Sequence, residues 1–138
     1  FVIDKNDSNV IYFGAGVHII DKRIELEDNQ TVFIDEGAVL YGSINATDKK
    51  NIRVIGYGIL DNSRMLRANE INGCAVLDPN AGEKTGNPIF FNRCENVIVD
   101  GITIVNSSGW NIYLDGCMMH YVFRVSMAVA ISVGSADN

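Results

Sequence analysis

Three aspartates stand where the chain turns. Asp61 precedes Asn62, and Asp100 and Asp115 precede Gly101 and Gly116. Carboxylates are general acid–base groups, but Asp also favours turns, so a corner position is the default reading of each. His18 follows a strand start and reads as structural, because a general acid or base needs a placed partner. His120 lies in a segment with no neighbouring acid to form a dyad. Trp110 is by default a corner or core aromatic, given the area such a ring buries, with sugar stacking as the second reading. No catalytic residue is assigned on this basis, substrate-binding residues stay unidentified, and neither a metal nor a cofactor is expected.

The cysteines Cys74, Cys94 and Cys117 cannot all pair within the chain, and no CxxC or Cys/His pair has metal-ligand spacing. Cys94 and Cys117 lie 23 residues apart. If that is one turn of a coil, the two stack ~4.8 Å apart, and a pair of free core thiols is favoured over a disulfide. Gly82-Glu-Lys-Thr85 is not a phosphate loop, because Glu83 stands where a glycine must precede the lysine.

These residues sit in a chain of 138 residues that is 20% charged and 47% hydrophobic, a globular composition long enough for one domain with a core. Thirteen glycines against two prolines suit many tight turns. A net charge of −6 argues against nucleic acid or an anionic membrane as the main partner. No apolar run approaches the ~20 residues that span a bilayer. The chain starts at Phe1 without Met or a leader, so both ends read as possible cuts.

The elements that must position any site are short strands. Val10–Phe13, Val17–Ile20, Arg23–Leu26, Thr31–Ile34, Ala38–Tyr41 and Ile52–Ile55 are apolar or alternating runs separated by Gly, Asp and Asn. Cys94–Cys117 holds three more: Val97–Val99, Ile102–Val105 and Asn111–Leu114. The breaks between them are too short for crossover helices. Asn51-Ile-Arg-Val-Ile-Gly56 repeats as Asn96-Val-Ile-Val-Asp-Gly101, 45 residues on. Self-similarity at this scale marks a solenoid. Coils of ~20–25 residues predict an all-β, right-handed parallel β-helix of about five coils over residues 1–138. An insertion between the copies leaves one or two coils in that interval. The repeated asparagines can hold left-handed corners and bond one another in a ladder.

Two segments break the rhythm. An excursion spans 63–88, where Arg64–Ile71 could form two helical turns behind a Ser63 cap and Gly73–Pro88 reads as loop. Arg64 and Arg67 lie on it, with a solvated face as the default and approach to a substrate groove as the second reading. The other atypical segment is 118–138: the corner Asn and Gly are missing, and Met127–Ile131 is one apolar run.

Several stretches resemble the N-terminal coils of polygalacturonase-like glycoside hydrolases (family 28, with the pectin-lyase-like β-helix) and of dextranase-like hydrolases. They are Gly14-Ala-Gly-Val-His18, Leu26–Ile34, Gly37-Ala-Val-Leu-Tyr-Gly42, Gly56-Tyr-Gly-Ile-Leu-Asp61, Asn87–Cys94 and Gly101-Ile-Thr-Ile-Val-Asn-Ser-Ser-Gly-Trp110. The last is the most specific, and the resemblance runs from about Val10 to Cys117. It implies a secreted or periplasmic protein, a polysaccharide partner (pectic or another plant or microbial glycan), and hydrolysis by aspartates ~6.5–9.5 Å apart. It implies a first catalytic Asp in an Asn-x-Asp-Gly motif on the coil after Trp110, then Asp-Asp, His-Gly and Arg-x-Lys. That motif falls near Ser126–Val129, with Ala128 at the Asp position, and no Asp or Glu occurs from Cys117 to Ala136. The coils of Asp100 and Asp115 are too early for the family's catalytic Asp. The expectation is therefore an N-terminal β-helix portion of a glycosidase that is inactive by itself. A non-catalytic carbohydrate-binding or surface β-helix is the alternative, and a truncated relic is the third reading. Asn29-Gln-Thr, Asn45-Ala-Thr and Asn106-Ser-Ser are glycosylation sequons in a eukaryotic secretory setting.

Overall fold

The computed structural model describes residues 1–66, 69–71, 74–76, 84–107 and 109–128. Among them are fourteen strands. They are β1 (Val10–Phe13), β2 (Gly16–Glu25), β3 (Thr31–Ile34), β4 (Ala38–Thr47), β5 (Lys50–Gly56), β6 (Ile59–Asp61), β7 (Asn69–Ile71), β8 (Cys74–Val76), β9 (Ile89–Asn92), β10 (Glu95–Asp100), β11 (Thr103–Val105), β12 (Ile112–Asp115), β13 (Met118–Phe123) and β14 (Ser126–Ala128).

The strands wind into a parallel β-helix with three faces. The first face stacks β1, β3, β5, β10 and β13 in that order, all parallel. The second face stacks the leading halves of β2 and β4 with β6, β11 and β14. The third stacks the trailing halves of β2 and β4 with β9 and β12. The five expected coils are four complete turns and the start of another, formed by β13 and β14. The ten-residue strands β2, which the sequence divides in two, and β4, which it marks only at Ala38–Tyr41, run on through one corner, where their pairing shifts register between Ile19 and Arg23.

Register fixes the turn length. On the first face Val10 pairs with Thr31, Thr31 with Arg53, Lys50 with Glu95, and Glu95 with Met118. The steps are 21, 22, 45 and 23 residues, so the 45-residue interval is one turn carrying the excursion.

Alternation in the short strands sends one file of branched side chains inward. Val32, Val54 and Val99 pair in succession, as do Ile52 and Val97, and all five are fully buried. Each such side chain contributes about 1.5–3 kcal/mol on burial, and β-branched residues suit a pleated surface. Phe91, Leu40, Ile44, Leu60, Ile89, Ile102 and Ile104 fill the rest of the interior. The N-terminal segment covers part of the first face from outside, with the Phe1 ring edge-on to Phe33 and tilted against Tyr57.

The corners carry the strongest backbone constraints. Asn29, Asn51 and Asn96 all have φ between 55° and 66°. Asn51 Nδ2 donates to Asn29 Oδ1 and Asn96 Nδ2 to Asn51 Oδ1, each at 2.9 Å. The expected ladder exists and extends one rung earlier than the repeat suggested. On the next rung its place is taken by Met119, with φ 53°. At another corner Gly56 and Gly101 stack, followed by Arg124 with φ 47°. Over its described part, residues 118–128, the atypical segment thus keeps the path of the coil while losing the residues suited to it. The sequon at Asn45 is ruled out as a glycosylation site by burial at 3% exposure.

The excursion corrects the sequence reading. Asn69–Ile71 is not helical but a strand, paired antiparallel with Cys74–Val76, a strand where the sequence predicts loop. Leu66 explains why a helix does not propagate: its N–H donates to Lys84 O (2.7 Å) and its carbonyl accepts from Gly86 N (3.2 Å). Those backbone groups bridge to the returning leg of the loop instead of to their own turn. Thr85–Pro88 is buried. Its base is tied by Asn62, whose Nδ2 lies 3.1 Å from Gly42 O, 3.0 Å from Ser43 Oγ and 3.3 Å from Gly86 O. Arg23 Nη1 also donates to Thr85 O at 2.9 Å. Asn62→Ala removes these donations in a buried site, leaving Gly86 O with Ser43 Oγ as a remaining donor, and such loss costs about 1–3 kcal/mol. We expect a matching fall in urea-unfolding free energy and faster proteolysis within 63–88. Unchanged cleavage there would show that Asn62 does not close the loop.

Candidate functional site

The helix distributes the three strand-end aspartates over its three faces: Asp100 ends β10 on the first, Asp61 ends β6 on the second, and Asp115 ends β12 on the third. Two of them already have structural partners. Asp100, 8% exposed, accepts two bonds from Arg124, from Nε at 2.9 Å and Nη2 at 2.7 Å. Asp61 accepts from Ser63 N at 2.8 Å and Asn106 Nδ2 at 3.3 Å. They are corner residues, as the sequence suggests.

His18 is also structural: its Nε2 lies 2.6 Å from Gly14 O and its ring packs edge-on to Phe13. Arg64 faces Asp21 rather than a groove, with Nε and Nη2 at 2.9 and 2.8 Å from the two carboxylate oxygens. That contact holds the Asp21 carboxyl below its ordinary range. Arg67, the side chain of Cys74 and Val129 lie outside the described residues. Cys94 and Cys117 are free thiols, the first buried. Burial raises the Cys94 pKa above the usual thiol value. Among the described residues no three His, Cys, Asp or Glu side chains group as metal ligands. No helix among them is long and apolar enough to cross a membrane.

What the fold does assemble is an aromatic wall on the third face. Alternation sends Ile89, Phe91, Ile112 and Leu114 toward the interior and leaves Phe90 and Tyr113 outside. Because their strands are paired in register, the two rings stack, 5.0 Å between centroids and 5° from parallel. Trp110 meets Tyr113 edge-on at 5.4 Å and 73°. It is 53% exposed, so the expectation of a buried or corner role for Trp110 is only half met: one edge is supported while much of the ring stays open. Ser107 holds the approach to it, bonding Gly109 O at 2.8 Å and lying 3.2 Å from Gly109 N.

Two residues further along each strand, Asn92 and Asp115 take the next outward positions. Asp115 is exposed and its carbonyl accepts from Arg93 N at 2.7 Å. Arg93 in turn forks onto Asp48, at 2.7 and 3.0 Å. The guanidinium holds the Asp48 carboxyl below its usual value, and Asp48 raises Arg93 above its own.

Next to Trp110 and Tyr113, in line with the inward files rather than on the outer wall, is a depression of about 630 Å³ lined also by Ile112, Leu114, His120, Val122 and Met127. His120 occupies the inward file of Ile52 and Val97, and among the described residues no carboxylate joins it in that lining. Among the described residues the arrangement offers an open indole, supporting rings and polar acceptors, but no assembled acid–base pair. Sequence reading singled out Trp110 but missed Phe90 and Tyr113. Their signal was the outward position each occupies in paired strands, visible only once the register was known.

The class defined by this architecture is the parallel β-helix proteins. No family model matches the sequence, and no curated protein does. Among solved structures, the chain is similar to one described as a "putative glycosyl hydrolase" from Parabacteroides merdae, with a TM-score of 0.64 and 22% identity. The likeness covers 86% of this chain and 59% of that one, so the chain spans little more than half of the matched protein. At that identity the likeness establishes the fold.

Proposed function

We propose that the chain is the N-terminal solenoid portion of a polysaccharide-hydrolysing glycosidase of polygalacturonase type, one that holds glycan and does not itself hydrolyse it. The observation that carries this is Trp110, half open at the head of the Phe90–Tyr113 stack with Asn92 and Asp115 on the adjoining outward positions. A sugar presents a C–H face that sits against an aromatic ring and a rim of hydroxyls that needs hydrogen-bond partners. The sequence resemblance and the fold of the similar hydrolase support the same assignment. In keeping with that resemblance, we propose a secreted or periplasmic location.

The dispersal of Asp61, Asp100 and Asp115 over three faces supports the non-hydrolytic part, because acid and base must flank one bond. It equally favours the alternative, a non-catalytic carbohydrate-binding β-helix. Trp110→Ala is expected to weaken glycan binding about tenfold, the equivalent of ~1.4 kcal/mol, while leaving the thermal unfolding midpoint near that of the parent. Incubation of the 138-residue chain with the same glycans should release no reducing sugar. An unchanged affinity in the Trp110 variant would remove the aromatic wall as the binding site, and turnover would disprove the non-hydrolytic assignment.

A further inference from the structure

We infer that Cys94 and Cys117, free thiols in this structure, are the reduced form of a reversible disulfide that links successive coils and clamps the last one in place. The two residues pass the same corner one turn apart. Glu95 pairs with Met118, the residue after each cysteine, and Met118 N donates to Cys94 O at 2.9 Å. Paired strands run about 4.8 Å apart, inside the range of about 4.4–6.8 Å that a disulfide needs between Cα atoms. Both side chains turn toward the interior: Cys94 lies in the core at 1% exposure, and Cys117 packs half-buried against the same core. The Cys117 thiol leans onto the coil below, donating to Phe91 O with Sγ at 3.3 Å, nearer than the 3.8 Å to Asp115 O on its own coil. The Cys94 thiol lies 3.5 Å from Asn92 O, the next carbonyl along. The two sulfurs therefore converge on the end of β9.

The partly exposed Cys117 is the group that an oxidant reaches first. Burial raises the Cys94 pKa, and the nearness of the Cys117 sulfur adds to it, which suits Cys94 to the second step. The oxidant is a small-molecule disulfide. The Cys117 thiolate attacks one of its sulfurs and expels the other as a thiolate, leaving a mixed disulfide on Cys117. The Cys94 thiolate then attacks Cys117 Sγ and expels the second small thiol. Two protein thiols lose two protons and two electrons, and the oxidant takes them up as two thiols. The bond closes the 23-residue interval that holds β10, β11 and β12 into a covalent ring. Among the described residues β13 pairs only with β10 and β14 only with β11, and every side chain of β13 is exposed. This coil has the fewest ties, and the link anchors it where it begins. In an oxidising compartment, as in the location proposed above, the linked form is the one expected to accumulate. The inference does not depend on glycan binding.

The test is oxidation of the folded 138-residue chain with oxidised glutathione, followed by thiol titration and peptide mapping without reduction. Of the three thiols, two are expected to disappear and Cys74 to stay titratable. Trypsin releases residues 94–124 as one peptide, which should be lighter by two hydrogen atoms until it is reduced. Proteolysis within Met118–Phe123 should slow about tenfold on oxidation, and the urea midpoint should rise. Cys117→Ser and Cys94→Ser should each abolish these changes, and dithiothreitol should reverse them in the parent. Three titratable thiols after oxidation, or a link from either residue to Cys74, would overturn the inference. So would a Cys94–Cys117 link that leaves proteolysis of the last coil unchanged. Peptide mapping of the parent decides the pairing even where a serine variant does not fold.

Discussion

Gly101→Ala is expected to prevent the chain from folding. A Cβ at this position would lie 2.2 Å from Gly56 O on the coil below, and 3.0 Å from the Phe1 ring. The ring can swing aside. The carbonyl cannot, because it belongs to a corner clamped between coils that pair in register on both sides. At φ +85° the backbone itself also disfavours an L side chain, by about 1–2 kcal/mol. Relief therefore requires the fourth coil to lift from the third, breaking strand pairing and opening the file that runs through Val54 and Val99. We expect a cost of at least ~4 kcal/mol, in the exceptional range for one substitution and a large part of a domain's ~5–15 kcal/mol. Loss of soluble protein, or a circular dichroism spectrum without strand signal, is the expected readout. Gly116→Ala is the control: it too has positive φ, but its nearest neighbour to an added Cβ is the Arg93 side chain at 3.5 Å. It should lose about 1 kcal/mol. Equal behaviour of the two variants would show that close approach of the coils is not the source of the effect.

The asparagine ladder carries the second large effect, with opposite signs at its central rung and at the position beyond its last. Asn51 is the central rung, donating to Asn29 and accepting from Asn96 at a corner with φ 58°. Asn51→Ala removes both bonds and places a residue poorly suited to that conformation. At ~0.5–1.5 kcal/mol per bond and about 1 kcal/mol for the backbone, the loss should reach ~2–3 kcal/mol. Met119→Asn should do the reverse. It puts the residue type used on three other rungs into a corner already bent to φ 53°, where its amide can bond Asn96. A gain of about 1 kcal/mol, read as a higher urea midpoint with unchanged slope, is expected. Destabilisation by Met119→Asn would show that the corner is held by the methionine side chain, not merely tolerating it.

These two cases show what the sequence encodes openly. Asn51 and Asn96, each followed by an alternating strand and a glycine, announce both the coil and the ladder, because the residues demanded by a left-handed corner are few. Asn29 carries no such signature as a ladder rung, since it sits in the polar run Glu27–Gln30 with no glycine at the matching distance. The strand pair of the excursion was not legible either. Arg64–Ile71 is composed of fair helix formers, and what overrides them is a backbone partnership between Leu66 and residues nearly twenty positions away. The site was less visible than the fold. An aromatic stack across strands leaves no local pattern: Phe90 and Tyr113 become neighbours only through a register that the repeat length sets. The carboxylates were the reverse case, conspicuous in the sequence and separated by the fold onto different faces.

The single long turn has a consequence for how such a protein can vary. Closing a loop of 45 residues rather than 22 raises the chain-entropy cost by only about 0.6 kcal/mol. One corner therefore acts as a port where peptide can be added, removed or exchanged at small cost, provided Asn62 and the returning Thr85–Pro88 leg still shut its base. The other corners have no such freedom, since their glycines and asparagines are pinned coil to coil. Diversification of this scaffold, natural or engineered, should enter through that one opening and leave the rest of the helix unaltered.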